Sequence, residues 1–187
     1  QAVLCCPGLG SPRLTHDATL PERVRARFAS LHALIGDTPL VELECALDGV
    51  SVRVFAKYEI LNLTGSIKDR MALRILEEAW NAGEVDEGTV IVEATSGNTG
   101  IAFAALGRAL DHPVRIYMPD WMSRERVLLI ESLGAEVVPV SSAEGGFLGS
   151  IARADAYAAE RPGSTFLPHQ FRNVANIRAH AESTGPE

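Results

Sequence analysis

From residue 67 to residue 168 the sequence switches repeatedly between helical and strand periodicity, and this alternation constrains the fold more than any other feature. Ala72, Ile75, Leu76 and Ala79 recur at helical spacing and predict a helix over 67–82. Thr89-Val90-Ile91-Val92-Glu93-Ala94 is β-branched and apolar, and reads as a buried strand over 89–94. The pattern continues as helix 99–110, strand 114–118, helix 123–133, strand 135–140, helix 147–160 and strand 164–168, with Gly134 suited to a helix C-terminus. Such a chain is α/β: a three-layer, Rossmann-like arrangement of a parallel sheet with helices on both faces. Ahead of the alternation, residues 1–19 carry Pro7, Gly8, Gly10 and Pro12 and read as an irregular N-terminal arm. A helix over 21–34 follows, with Pro21 in its first turn and Val24, Phe28, Leu31 and Leu34 on one side. Strands are expected at 40–45 and 52–58, after a turn through Gly36 and Pro39.

Two segments at helix starts carry chemistry. In Thr64-Gly65-Ser66-Ile67-Lys68-Asp69-Arg70, Ser66 and Asp69 have the spacing of a capping box. Lys68 then falls in the first helical turn, where the positive end of the helix dipole disfavours a cation. A lysine so placed can attack a carbonyl as a free amine; the plainer reading is a solvated lysine beside Asp69 and Arg70. In Thr95-Ser96-Gly97-Asn98-Thr99-Gly100, a buried strand runs through a small polar loop into an apolar helix. Backbone N–H groups and the hydroxyls of Thr95, Ser96 and Thr99 would converge there on an anion, with Asn98 adding an amide. An ordinary βα turn capped by Ser and Thr would look much the same.

Composition narrows the alternatives. The 187 residues are 47% hydrophobic and 22% charged, values of a globular protein. A formal charge of −7 argues against nucleic acid and anionic membrane as partners. There is no apolar run long enough to span a bilayer and no signal-peptide pattern in residues 1–12, so a cytoplasmic location is expected. Cys5, Cys6 and Cys45 show neither a disulfide framework nor metal spacing, and Cys45 is expected to pack behind its strand. His16, His32, His112, His169 and His180 share no ligand spacing; His169 is placed near a site only by its adjacency to Gln170. Gly97-Asn98-Thr99-Gly100 has the wrong spacing for a dinucleotide fingerprint. Trp121 and Met122 are expected in the core, and Gly145-Gly146 as a turn or a hinge.

Taken together, the two segments resemble the cysteine synthase group of pyridoxal-phosphate enzymes, fold type II, which includes cystathionine β-synthase and is tryptophan synthase β-like. The resemblance covers nearly all of residues 30–187. It rests also on Ile35-Gly36-Asp37-Thr38-Pro39-Leu40-Val41, Gly134-Ala135-Glu136-Val137, Gln170-Phe171 and Thr184-Gly185-Pro186-Glu187. It implies pyridoxal 5'-phosphate as cofactor, held by Lys68 as a Schiff base and by Asn98 at its 3′-oxygen. It implies that Thr95, Ser96, Gly97, Thr99 and Gln170 hold the substrate carboxylate. The implied reaction is β-replacement on an O-activated L-serine through an aminoacrylate, with O-acetylserine and sulfide giving L-cysteine and acetate. The implied partners are a small amino-acid substrate, sulfide and a second copy of the full-length chain in a homodimer.

By the same resemblance, residues 20–71 belong to a large cofactor domain, 72–170 to a small mobile α/β domain, and 171–187 return to the large one. Family members are longer, so the sequence reads as an N-terminal part, inactive or poorly soluble alone, with the cofactor-phosphate loop beyond residue 187. Thr64, His169 and the segment 145–149 depart from the commonest family sequences and leave the second substrate open. Cystathionine β-synthase, 2,3-diaminopropionate-type and sulfocysteine-type synthases remain alternatives, as does a non-catalytic homologue acting as a binding module.

Overall fold

The strands of the computed structural model, which describes residues 4–5 and 20–187, divide into two sheets. The first is antiparallel, in the order β1 (Leu4–Cys5), β2 (Leu40–Leu47), β3 (Val50–Lys57). Asp48 and Gly49 join β2 to β3 with φ of 51° and 79°. Two consecutive positive values make the tight turn whose twist matches that of paired strands. Leu4–Cys5 thus pair with β2 where an irregular arm was expected, and the remainder of residues 1–19, Cys6 included, lies outside the described residues.

The second sheet is parallel, in the order β6 (Glu136–Val140), β5 (Val114–Pro119), β4 (Val90–Ala94), β7 (Thr165–Phe166). The helices are α1 (Glu22–His32), α2 (Lys68–Asn81), α3 (Asn98–Ala109), α4 (Arg124–Ser132), α5 (Gly146–Ala159) and α6 (Val174–Ala179). Within 67–168 every expected element is present with its ends moved by a residue, except strand 164–168. That strand shrinks to β7 because it pairs only with Val90 and Ile91 at the sheet edge, and Pro168 has no N–H to extend the ladder. Neither α6 nor the π-helical turn His180–Thr184 was foreseen.

The connections fix the faces. From β4 the chain steps outward through α3 to β5 and through α4 to β6, then α5 carries it back across the sheet to β7 on the other side of β4. One core joins Ile91, Ile116 and Met118 to Phe103 and Leu106 of α3 and to Leu76 of α2. The other joins Val92, Ala94, Tyr117 and Val140 to Ala154 of α5. Alternate residues of β4 therefore serve opposite cores, as the pleat requires. Each fully buried large side chain, such as Phe28, Phe103 or Ile91, stabilises by about 1.5–3 kcal/mol. Gly107 lets α3 approach β5: a Cβ there would lie 2.2 Å from Val114 Cγ2.

Several apolar side chains remain outside these cores. Leu43, Leu47, Val50, Val54 and Phe55 on β2 and β3 are exposed, and so is Leu34 beyond the end of α1. Cys45 is exposed too, against expectation, since both faces of the β2–β3 hairpin are open. Trp121 is exposed rather than core, but its ring covers Gly146, where a Cβ would meet it at 2.4 Å. Among the described residues no helix is long and apolar enough to cross a membrane.

The order β6-β5-β4-β7 has its switch point between β4 and β7, where successive connections leave in opposite directions. In open α/β sheets the crevice at the carboxyl ends of strands flanking such a point is where ligands bind. The loop after β4 and the segment after β7 form the walls of that crevice.

Candidate active site

The loop 95–99 continues β4 for one bond, Thr95 N–H to Tyr117 O at 3.1 Å, and then leaves the sheet. Thr95 and Thr99 are buried, whereas Ser96 and Asn98 are exposed at the mouth. The Thr95 hydroxyl accepts the Gly97 N–H at 3.2 Å, which shapes the turn. Asn98 opens α3, so the N–H groups that a helix leaves unpaired lie beside Ser96 and Asn98. Gly100 permits this close start, because a Cβ there would stand 2.7 Å from Thr95 Cγ2.

Gln170, buried beyond β7, reaches the same place from the other wall. Its Oε1 accepts the Thr99 hydroxyl at 2.7 Å, a bond between residues 71 apart in sequence. Asn176 Nδ2 donates to its carbonyl at 2.9 Å, and its own N–H points to Glu93 Oε2 at 3.4 Å. With Oε1 engaged, the Gln170 Nε2 hydrogens remain for an incoming acceptor. Thr95, Thr99 and Gln170 are thereby brought together, and Ser96, Gly97 and Asn98 lie in the loop between the two threonines.

Glu93 was read in the sequence only as part of a strand. The residue is 7% exposed, and its carboxylate accepts the Ala94 N–H at 3.0 Å as well as that of Gln170. Burial pushes its pKa up to about 7, and the charge of Asp155 adds to the rise against those two bonds. A polar residue inside an apolar strand was the available signal; its partner lies 77 positions away and could not be read.

The lysine segment is built around a buried ion cluster. Arg70, with 2% of its side chain exposed, pairs with both oxygens of Glu59 and both of Glu187 at 2.6–2.8 Å. Burial opposes its charge, but the bonds to Glu187 and Glu59 more than compensate and raise its pKa. Burial likewise works against ionised Glu187, yet Arg70 and Lys57 bring its carboxyl down to about 2. Asn62, Thr38 and Ser183 complete the cluster.

The expected capping box does not form. Gly65, at φ 83°, turns the chain so that Asp69 takes the Thr64 N–H at 2.6 Å and the Thr64 hydroxyl. Ser66 Oγ instead accepts the Lys68 N–H at 3.2 Å. Burial raises the pKa of Asp69, against its bonds to Thr64.

The sequence contains two lysines. Lys57 is committed, through Glu187 at 2.7 Å and the Thr38 carbonyl. Lys68, half-buried at the head of α2, makes no ion pair or side-chain hydrogen bond among the described residues. Helix α2 packs on α3, which opens with Asn98, though no hydrogen bond among the described residues joins Lys68 to the loop. His180 lies within electrostatic range of the lysine. Burial lowers the His180 pKa, and the charges of Lys68 and Arg70 lower it further. His169 is exposed at φ 48°, and its carbonyl accepts the N–H groups of Arg172 and Asn173.

The sequence pattern of the pyridoxal-phosphate dependent enzyme family matches residues 31–187. A probable cysteine synthase of Bacillus subtilis is 43% identical over 154 residues, 82% of this chain and 49% of that protein. The crystal structure of a hydrogen sulfide-producing enzyme from Fusobacterium nucleatum superposes with a TM-score of 0.83 and 51% identity, covering 87% of this chain and 48% of that one. The structure of an O-ureido-L-serine synthase superposes with a TM-score of 0.75 and 37% identity, covering 83% and 48%. The chain spans about half the length of the curated relatives it matches. A free lysine at one helix start, a polar crevice at the next and a family match over four-fifths of the chain agree: this chain belongs to the pyridoxal-phosphate-dependent enzymes.

Proposed function

We propose that this chain supplies the lysine and the carboxylate pocket of a β-replacement enzyme acting on an O-activated L-serine, in which O-acetylserine and sulfide give L-cysteine and acetate. The observation that carries the reading is the Thr99–Gln170 bridge across the switch-point crevice, next to the helix headed by an uncommitted lysine. The donor set fits the cofactor: a primary amine for its aldehyde and an exposed amide, Asn98, for its ring oxygen. Bound pyridoxal phosphate supplies the electron sink that makes a proton on the substrate α-carbon removable.

The residues of the chain do the rest. Ser96, the N–H groups at the start of α3 (Asn98 and Thr99), and Gln170 Nε2 hold the substrate carboxylate, with Thr95 and Gly97 shaping the loop beneath. That grip fixes the direction of the Cα–H bond, and the Lys68 amine, once released from the cofactor, takes the proton. The Cβ–O bond breaks, acetate leaves, and the sulfur of hydrosulfide forms the new bond to Cβ. Lys68 then returns the proton to Cα. Residues 72–170, which contain the parallel sheet, close over the carboxylate and exclude water from the reacting carbons.

The 51% identity to a hydrogen sulfide-producing enzyme favours a second reading, in which the same pocket takes a thiol-bearing amino acid. The Cβ–S bond then breaks, sulfide departs with a proton and another nucleophile adds at Cβ. Assays of the complete holoenzyme with O-acetylserine plus sulfide, and separately with cysteine, distinguish the two. Lys68→Ala should remove both turnover and the visible absorbance of bound cofactor. A variant that retained both would refute the reading.

A further inference from the structure

The parallel pairing of β4 with β7 ends at Ile91, and beyond it the two chains part to open the crevice. Glu93 lies in that opening. One carboxylate oxygen takes the N–H of Ala94 on β4, and the other faces the N–H of Gln170 on the departing chain. We propose that Glu93 is a positioning residue: its carboxylate spans the split between the strands and sets where the Gln170 amide meets the substrate carboxylate. The proposal rests on the carboxylate-binding role given above to Gln170.

A sheet residue at this depth is ordinarily apolar, as Ile91 and Val92 are, because a buried carboxylate is costly unless its lone pairs are occupied. Here they are occupied by two backbone N–H groups that the ladder no longer serves. Asn176 holds the Gln170 carbonyl and Thr99 its side chain, while the Gln170 N–H is the hydrogen bond that, among the described residues, ties the segment to β4 itself. The charge of Asp155 on α5 works against ionisation of Glu93, and the two N–H groups work for it. Glutamine at this position keeps the length but turns one acceptor into a donor facing an N–H. Alanine leaves the split unspanned.

The test uses the complete holoenzyme as wild type, Glu93→Gln and Glu93→Ala. Hydrogen exchange of the Gln170 amide should accelerate in both variants while that of β5 stays unchanged. KM for the amino-acid substrate should rise on the order of tenfold in Glu93→Gln, the scale of one charged hydrogen bond, with kcat and the KM for sulfide unchanged. Unchanged Gln170 exchange in Glu93→Gln overturns the proposal, as does a fall in kcat at constant KM. If the wild type turned over no amino acid, the proposed function would fail, while Gln170 exchange would still decide the role of Glu93. If Glu93→Ala did not fold, Glu93→Gln alone would decide it.

Discussion

Replacing Arg70 by methionine tests the cluster that holds the lysine segment in place. Methionine keeps the packing of the stem and removes the guanidinium, which makes two paired contacts to each of Glu59 and Glu187. Both carboxylates stay largely buried, with 14% and 7% of their side chains exposed. Stranding a buried charge costs about 3–5 kcal/mol. Lys57 still reaches Glu187, and Asn62 and Thr38 still reach Glu59, so the lower end, about 3 kcal/mol, is expected.

The loss should also depend on pH. In the wild type the Glu187 carboxyl is held at about 2 against an ordinary 4.5. Its ionisation therefore stabilises fully above 4.5, and that contribution is lost as pH falls toward about 2. Without Arg70 the lowering of the Glu187 carboxyl is weaker, so the variant has less of this contribution to lose in acid. Denaturant unfolding followed through the buried Trp80 should show the widest gap between wild type and variant near neutral pH and a narrowing gap below 4.5. A neutral-pH loss under about 1 kcal/mol, the scale of an exposed pair, would refute the reasoning, as would a gap that acid leaves unchanged.

Thr99→Val removes the hydroxyl that occupies Gln170 Oε1 and leaves a buried acceptor unmet, at about 1–3 kcal/mol. Steady-state kinetics should show the amino-acid KM rising, and Thr99→Ser should restore it. Gly107→Ala forces a methyl against Val114 Cγ2 and should lower stability by about 1–3 kcal/mol, read as a shifted denaturation midpoint.

What the sequence could show was whatever depends on near neighbours. The helices and strands of 67–168 were legible because period 3.6 and period 2 each repeat within a few residues, as in Ala72, Ile75, Leu76 and Ala79 against Val90, Ile91 and Val92. The β2–β3 hairpin carries its own turn signal in Asp48-Gly49, which apolar periodicity does not register. The residue types of Trp121 and Cys45 point to a core, whereas exposure follows from what packs against them. The loop 95–99 was legible as a strand running into a helix start. The arrangement around it was not: Gln170 to Thr99, Glu93 to Gln170 and Arg70 to Glu187 join residues 71, 77 and 117 positions apart. The approach of His180 to within electrostatic range of Lys68 depends on α6 and the π-helical turn, a region too short for periodicity to mark.

Borohydride reduction of the complete holoenzyme, followed by peptide mapping, tests the covalent claim at its root. The account predicts the pyridoxyl mass on the peptide that contains Lys68. Finding it on Lys57, on a lysine outside this sequence or nowhere at all would contradict the account.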